Sequence, residues 1–307
     1  MIDKLEMFIA LAREGHFGKA AAACGVAQPS LSAAIKQLEA QLGVTLVIRG
    51  ARYGGLTPEG QRVLVWARKI VGDAHQMRAE MRASGRGAGA GLSGDLRLAV
   101  IPTALSVAAD LAARFRARHP DVRLSLLSQT SDEILSGMAD LQIDAGVTYM
   151  DGAALGRMTA LPLYDEHYRL VCARGSALAQ NPAPPTWEDI ALSRLCLLPP
   201  DMQNRKILTR SFAAQGLAPL PALESNSTVA LMAQVMAGDL ATILPVQLAQ
   251  FLAAGRPEIV IREIADPPAA PCVGLIAVQR APHTPVIAAL LSEARRMSEQ
   301  MRAGRAS

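Results

Sequence analysis

Between Ser84 and Gly94 the chain reads Ser84-Gly85-Arg86-Gly87-Ala88-Gly89-Ala90-Gly91-Leu92-Ser93-Gly94, with five glycines, no proline and a single bulky apolar side chain. Ordering such a stretch would cost backbone entropy and bury almost nothing, so 85–94 is expected to be a flexible linker. The apolar pattern changes at this seam. Before it the spacing is helical throughout. After it, short apolar runs at 96–101, 122–127, 144–149, 168–173, 195–199 and 273–278 alternate with helical stretches, the last of them over 285–301. That alternation predicts an α/β domain with βαβ crossovers.

Composition narrows the class further. Half of the 307 residues are apolar, yet no run approaches the ~18 uncharged apolar residues of a membrane span. Asp3, Lys4 and Glu6 stand where a signal peptide needs apolar residues, so a soluble cytoplasmic protein with no membrane partner is expected. Cys24, Cys172, Cys196 and Cys272 are scattered, with no CxxC and no histidine at ligand spacing. Free buried thiols are therefore expected, with no metal, disulfide framework or cofactor. His16, His75, His119, His167 and His283 are isolated and suit surface or packing roles. Charge is uneven: up to Arg86 there are 12 lysines and arginines against 7 acidic residues, and after it 19 against 20. A basic end on a near-neutral body suits contact with a polyanion.

Within that basic end, Ala20, Ala21 and Cys24 share one helical face, Gly25 can supply a turn, and Leu31, Ile35, Leu38 and Leu42 recur at spacings of four, three and four. Two short helices meeting at a tight turn are predicted, the second burying those four residues and turning Ser30, Ala33, Lys36 and Gln37 to solvent. An apolar back and a short polar front suit a major groove about 12 Å wide. Further on, Val63, Ala67, Ile70, Ala74, Met77 and Met81 form an a/d register over 58–84, which predicts a coiled-coil seam joining two copies of the chain. Packing of this helix on its own domain is the alternative. Trp66 lies off the seam and is expected to anchor the helix to the reader.

The segment Phe17-Gly18-Lys19-Ala20-Ala21, then Val26-Ala27-Gln28-Pro29-Ser30-Leu31-Ser32, Ile35, Leu38-Glu39, Leu42-Gly43, Leu46, Arg49 and Leu56-Thr57-Pro58-Glu59-Gly60, resembles the N-terminal signature of LysR-type transcriptional regulators. The resemblance implies a multidomain protein: an N-terminal winged helix-turn-helix over 1–60, all α apart from its wing at 44–56, with a dimerising linker helix at 58–84. An α/β two-lobed effector domain like the periplasmic binding proteins follows, one lobe at 95–163 and 265–303, the other at 164–264. In the body the landmarks are 96–103, Phe115 with His119-Pro120-Asp121-Val122, Asp140 with Asp144, and Ala237-Gly238-Asp239 with Ile243-Leu244-Pro245.

Carried over, the resemblance implies that Gln28, Pro29, Ser30, Ser32 and Lys36 meet double-stranded DNA, with Arg49 and Arg52 near phosphates. The residue types agree: proline suits a first helical turn, glutamine can read adenine and basic groups cancel phosphate charge. Ala27 and Ala33 depart from the family's usual Ser or Thr and Arg, and Val47 replaces its usual Phe. A homodimer and a tetramer of two dimers are also implied. In the body, ligands of such folds sit at the carboxyl ends of strands. That nominates Pro102, Thr103, Thr130, Ser131 and Tyr149 from one lobe, and Gln203, Asn204, Arg205, Ser227 and Thr228 from the other. Hydroxyls, amides and one guanidinium suit a small polar, anionic metabolite as effector. Ser and Thr there can equally cap helices.

Three other functions are weighed. No catalytic residues are expected, since the chain has no GxSxG elbow, Walker loop or HExxH, and the glycine seam precedes a strand where a dinucleotide loop would follow one. A solute-binding transport protein fits the body alone but not the attached reader. A peroxide-sensing thiol regulator would place its reactive cysteine around Met202 to Arg205, where this chain has none.

Overall fold

The structure is a computed structural model and describes residues 1–49, 53–84, 92–151, 156, 158–279 and 282–303. Most of the expected linker, 85–91, lies outside them. The chain divides into two compact units. The first holds Met1–Leu92 with Ser136–Ile143 and Pro282–Pro285, and the second holds Ser93–Leu135, Asp144–Ala281 and Val286–Ser307.

In the first unit, helix α1 (Ile2–Glu14) buries Leu5, Phe8, Ile9 and Leu11, and helix α2 (Phe17–Ala23) lays Ala20 and Ala21 into the same core. The isolated His16 has a definite task as the N-cap of α2. Its Nδ1 accepts from the N–H groups of Gly18 and Lys19 at 3.0 and 3.3 Å. Gly25 turns the chain with φ +66°, a conformation that most side chains resist, and helix α3 (Gln28–Leu42) follows. Leu31, Ile35 and Leu38 have no exposed surface. Leu42, expected beside them, is 41% exposed, because the 15-residue α3 outruns the 7-residue α2 at its back.

The wing is a two-stranded antiparallel ribbon of β1 (Val47–Arg49) and β2 (Tyr53–Leu56). It is tied to α3 by Glu39, whose Oε1 accepts from the N–H groups of Leu46 and Val47 at 2.9 and 3.2 Å. Helix α4 (Pro58–Ser84) starts just beyond β2. Thr57 accepts from the Gly60 N–H at 2.9 Å and donates to the Thr45 carbonyl at 2.6 Å. Gly60 is required by space: a Cβ there would stand 2.1 Å from the Leu46 carbonyl oxygen. The Thr57-Pro58-Glu59-Gly60 run is thus a cap, a proline in the first turn, an acid at the positive helix end, and a close approach.

Helix α4 corrects the single-seam expectation. Ala67, Val71 and Ala74 are buried and Val63 and Leu64 partly so, with α1 laid along this stripe and the His75 Nε2 and Glu6 Oε1 atoms 2.9 Å apart. Ile70, Met77 and Met81 instead face outward, and Trp66 is 62% exposed with Lys69 Nζ 5.5 Å from its ring centre. The reason is angular: Trp66 sits one residue, about 100° of helix, away from Ala67.

Among the described residues the second unit contains two larger sheets and a short two-stranded one. The largest has the strand order β4 (Val122–Ser128), β3 (Gly94–Val100), β5 (Ala145–Tyr149), β12 (Cys272–Val278), β6 (Met158–Asp165). Strands β3, β4 and β5 are parallel, joined through α5 (Leu105–Arg118) and α6 (Ser131–Ala139), while β12 runs antiparallel to both its neighbours. Sequence reading misses β6, whose Pro162 looks like a break. It is tolerated because β6 is an edge strand with a register shift where Pro162 faces Gly274. The second sheet sets β7 (Tyr168–Ala173) between β10 (Thr242–Pro245) and β11 (Ile259–Arg262), both antiparallel to it. The short parallel pair β8 (Cys196–Leu197) and β9 (Leu223–Glu224) joins β10 through a bridge from Leu195 to Ala241. Helices α7 (Ala177–Gln180), α8 (Trp187–Leu192), α9 (Gln203–Ala214), α10 (Thr228–Met236) and α11 (Val246–Ala253) surround this sheet, and α12 (Pro285–Ala303) closes the chain.

Gly60→Ala is expected to lower the stability of the first unit by about 3 kcal/mol, the upper range for overpacking, without melting the second. Two-transition unfolding followed by calorimetry checks this, and an unchanged first transition contradicts it.

Candidate functional site

The first candidate surface is the front of α3. With Leu31, Ile35 and Leu38 inward, Gln28, Pro29, Ser30, Ala33, Lys36 and Gln37 are exposed and Ser32 is half-buried. Ala27 holds the N-cap position without a side-chain acceptor, so the first N–H groups of α3 keep their positive end free for an anion. The Gln28 Oε1 lies 3.4 Å from where a Cβ of Gly18 would stand, which places its amide across the start of α2. Arg52 lies outside the described residues. Arg49 ends β1, and its side chain is not among those described.

The second candidate lies where the two sheets of the second unit exchange chain. Strand β6 ends at Asp165 and β7 begins at Tyr168, and the return passes from β11 to β12 through 263–271. The Glu166 N–H donates to the Pro271 carbonyl at 2.9 Å, so the two crossovers are bonded to each other. Burial alternates here: Tyr164, Glu166 and Tyr168 are buried, whereas Asp165 and His167 are exposed. Glu166 is completely buried. Its Oε1 accepts from Tyr149 Oη and Tyr168 Oη, both at 2.7 Å, and Tyr149 Oη lies 3.3 Å from Thr103 Oγ1. Its Oε2 is covered and makes no hydrogen bond.

The network therefore gathers Thr103 from the turn after β3, Tyr149 from the end of β5, Tyr168 from the start of β7, and a crossover carboxyl. Burial pushes the Glu166 carboxyl up to about 7, against the pull of the hydroxyls of Tyr168, Tyr149 and Thr103. Both tyrosines are held well above their ordinary value, first by burial and then by the neighbouring carboxylate.

Sequence reasoning nominated Thr103 and Tyr149 and missed Glu166, which looks like one charge in a polar loop. The signal was the Tyr164, Glu166, Tyr168 spacing of two, which continues the inward face of a strand.

The other nominated residues separate. Pro102 is buried beside Thr103. Ser131 Oγ accepts from Thr148 Oγ1 at 3.0 Å. Thr130 and Ser227 are used as helix caps: Thr130 forms a reciprocal box with Glu133, and Ser227 Oγ accepts from the Ala230 N–H at 3.3 Å. Thr228 is buried in the first turn of α10. Arg205 Nη1 donates to Glu224 Oε1 at 2.7 Å and to the Leu198 carbonyl at 2.9 Å, which ties the start of α9 to β9. Gln203 and Asn204 open α9, and the half-buried Gln203 contrasts with Asn204, which is 3% exposed with neither amide atom hydrogen-bonded.

All four thiols are raised above their ordinary value by burial, Cys196 to about 11. A raised thiol pKa disfavours the thiolate, the nucleophilic form. Among the described residues no cluster of His, Cys, Asp or Glu could hold a metal ion, and no helix is long and apolar enough to cross a membrane.

Residues 2–61 match the model of bacterial regulatory helix-turn-helix proteins of the lysR family, and residues 89–299 match the LysR substrate binding domain. A probable hydrogen peroxide-inducible genes activator of Mycobacterium xenopi is 35% identical over 176 residues, 57% of this chain and 90% of the relative. A full-length OxyR variant from Pseudomonas aeruginosa has the same fold, with TM-score 0.70 and 22% identity over 96% of this chain and 94% of that one. Full-length CbnR complexed with its target DNA aligns with TM-score 0.59 and 25% identity, over 97% of this chain and 99% of that one.

For Glu166 the folded state holds a proton more tightly than the unfolded chain does, so stability is greatest at acid pH and falls as pH rises from the ordinary value of 4.5 through about 7. Wild type should lose about 3 kcal/mol relative to Glu166→Gln across that span. Melting curves of both proteins between pH 5 and pH 8 check this, and parallel profiles contradict it.

Proposed function

The chain belongs to the LysR family of bacterial transcriptional regulators, with a helix-turn-helix DNA-binding domain and an effector-binding domain, and we propose that its α3 reads the major groove of promoter DNA while two lobes sense a small polar metabolite. The observation that carries the reading is the division of α3 into a fully buried apolar back and an exposed polar front. Gln28, Pro29, Ser30 and Ser32 enter the groove, Lys36 meets a phosphate further along, and Arg49 and Arg52 on the wing meet the flanking backbone.

The domains on this reading are the reader at 1–60, the dimerising helix at 58–84, the linker at 85–94, one lobe at 95–163 with 265–303, and the other at 164–264. The outward stripe of Trp66, Ile70, Met77 and Met81 supports a homodimer formed along α4, since this apolar stripe on a 27-residue helix is exposed and has no cover among the described residues of its own unit. Two such dimers would make a tetramer. A pair of readers related by a two-fold axis reads two half-sites, which multiplies discrimination.

The effector crevice is drawn from Pro102, Thr103, Ser131, Tyr149, Gln203 and Asn204, with Thr130, Ser227 and Thr228 as the helix starts that shape it. An anionic effector was expected largely because of Arg205. With that side chain paired to Glu224, the crevice keeps its polar character but loses its nominated cation. The peroxide response named for the Mycobacterium xenopi relative is not carried over, because no cysteine stands around Met202 to Arg205 and burial raises the four thiols present elsewhere. Ligand closure of the lobes changes how dimers pair and hence the spacing of the readers, through differential affinity for the two arrangements.

Gln28→Ala should relax base preference at one position of each half-site, by about 1–3 kcal/mol of discrimination. Lys36→Ala should weaken specific and random DNA alike and reduce the salt slope by about 1. Titrations of both duplexes at several salt concentrations check this, and equal losses on the two for Gln28→Ala would contradict the assignment. For the helix stripe, the paired change Ile70→Asp and Met77→Asp should give a species of half the mass by light scattering, and an unchanged mass rejects dimerisation through α4.

A further inference from the structure

We propose that Glu166 is the residue with which the crevice recognises its effector, and that the effector presents a protonated nitrogen to Oε2. The proposal rests on the two-lobed sensor reading above and names the ligand class of that site.

Glu166 is fully buried, and none of the described residues supplies it with a counter-charge. Its two oxygens are treated unequally. Oε1 takes both tyrosine hydroxyls, one from each sheet, while Oε2 makes no hydrogen bond. A buried carboxylate oxygen without a donor is costly, and proteins leave few of them. An ammonium or amidinium placed there supplies both the missing donor and the missing charge.

The surroundings favour the same class. On the first sheet the groups around the carboxyl are Thr103 and Tyr149, which are neutral hydroxyls. On the second sheet Tyr168 is neutral too, and the second crossover contributes the Pro271 carbonyl. Asp165 and His167 flank Glu166 in sequence but are exposed. The topology brings Asn204 to the same end of the second sheet. Strand β8 is parallel to β10 through Leu195 and Ala241, and the last residue of β10, Pro245, faces Tyr168 at the start of β7. The helix after β8 therefore opens at the edge where the crossover enters. Asn204 there has both amide atoms buried and unpartnered, a second polar group awaiting a donor and an acceptor. A carboxylate ligand would meet a buried carboxyl and a paired arginine. An amine meets the Glu166 carboxyl on the crossover and the Asn204 amide at the opening of α9.

The test uses the full chain and two matched sets of probes, putrescine, ethanolamine and guanidinium against succinate, acetate and benzoate, with glycerol as a neutral polyol. Titration calorimetry near pH 7, in buffers of different ionisation heat, is expected to show binding of at least one cationic probe with release of a fraction of a proton as Glu166 ionises. Glu166→Gln, isosteric and uncharged, should weaken that binding by about thirtyfold or more and abolish the proton release. Binding of the acids, with Glu166→Gln unaffected, would overturn the proposal and leave the sensor reading standing. Glycerol binding without proton release would overturn the charge assignment in the same way. Binding by none of the probes would overturn the proposal and the crevice reading together. The wild-type comparison of amines against acids decides the matter even if the variant folds poorly.

Discussion

Leu31, Ile35 and Leu38 retain no exposed surface, and that burial dictates which way α3 faces. Each side chain is worth about 1.5–3 kcal/mol when taken out of water, so rotating the helix to present any other face would cost most of the stability of so small a unit. The polar front is consequently fixed in orientation, and everything nearby is arranged around it. Ala20 and Ala21 let α2 lie close behind, and the Glu39 carboxylate reaches back from α3 to seat the start of the wing. Helix α4 can begin only where Gly60 passes the Leu46 carbonyl.

The second unit depends on a different kind of constraint. Its two sheets share the chain at two crossovers, and the crossovers are held to each other by the Glu166 backbone while its side chain ties a tyrosine of each sheet to one oxygen. A carboxyl with no counter-charge at such a junction is sensitive to whatever enters beside it. Protonation or a bound cation both relieve it, and both change how firmly the tyrosines are held.

How much could be read in advance follows from which interactions are local. The helical character of α3 and the extent of α4 were legible because Gly25, Pro58 and the apolar period lie in or beside the elements themselves. The inward half of α4 was not, since only the packed position of α1 decides whether Ala67 or Ile70 faces the core. Strand β6 was hidden by Pro162, which is harmless at a sheet edge and would be fatal at its centre. In the candidate crevice Thr103 and Tyr149 were legible from their place after strands. The pairing of Arg205 with Glu224 was not legible, because its partner lies on another element and spacing in sequence does not encode it. Glu166 was passed over because the reading stopped at the polar run between two strands, although the alternation of buried tyrosines continued through it.

The account turns on α3 lying in the major groove, and methylation interference on a bound promoter fragment addresses that directly. Guanine N7 faces the major groove and adenine N3 the minor, so the two modifications report on the two grooves separately. The account predicts that N7 methylation at the centre of each half-site blocks binding while N3 methylation at the same steps does not. Binding that tolerates every N7 methyl group, or is blocked only from the minor groove at those steps, would contradict it.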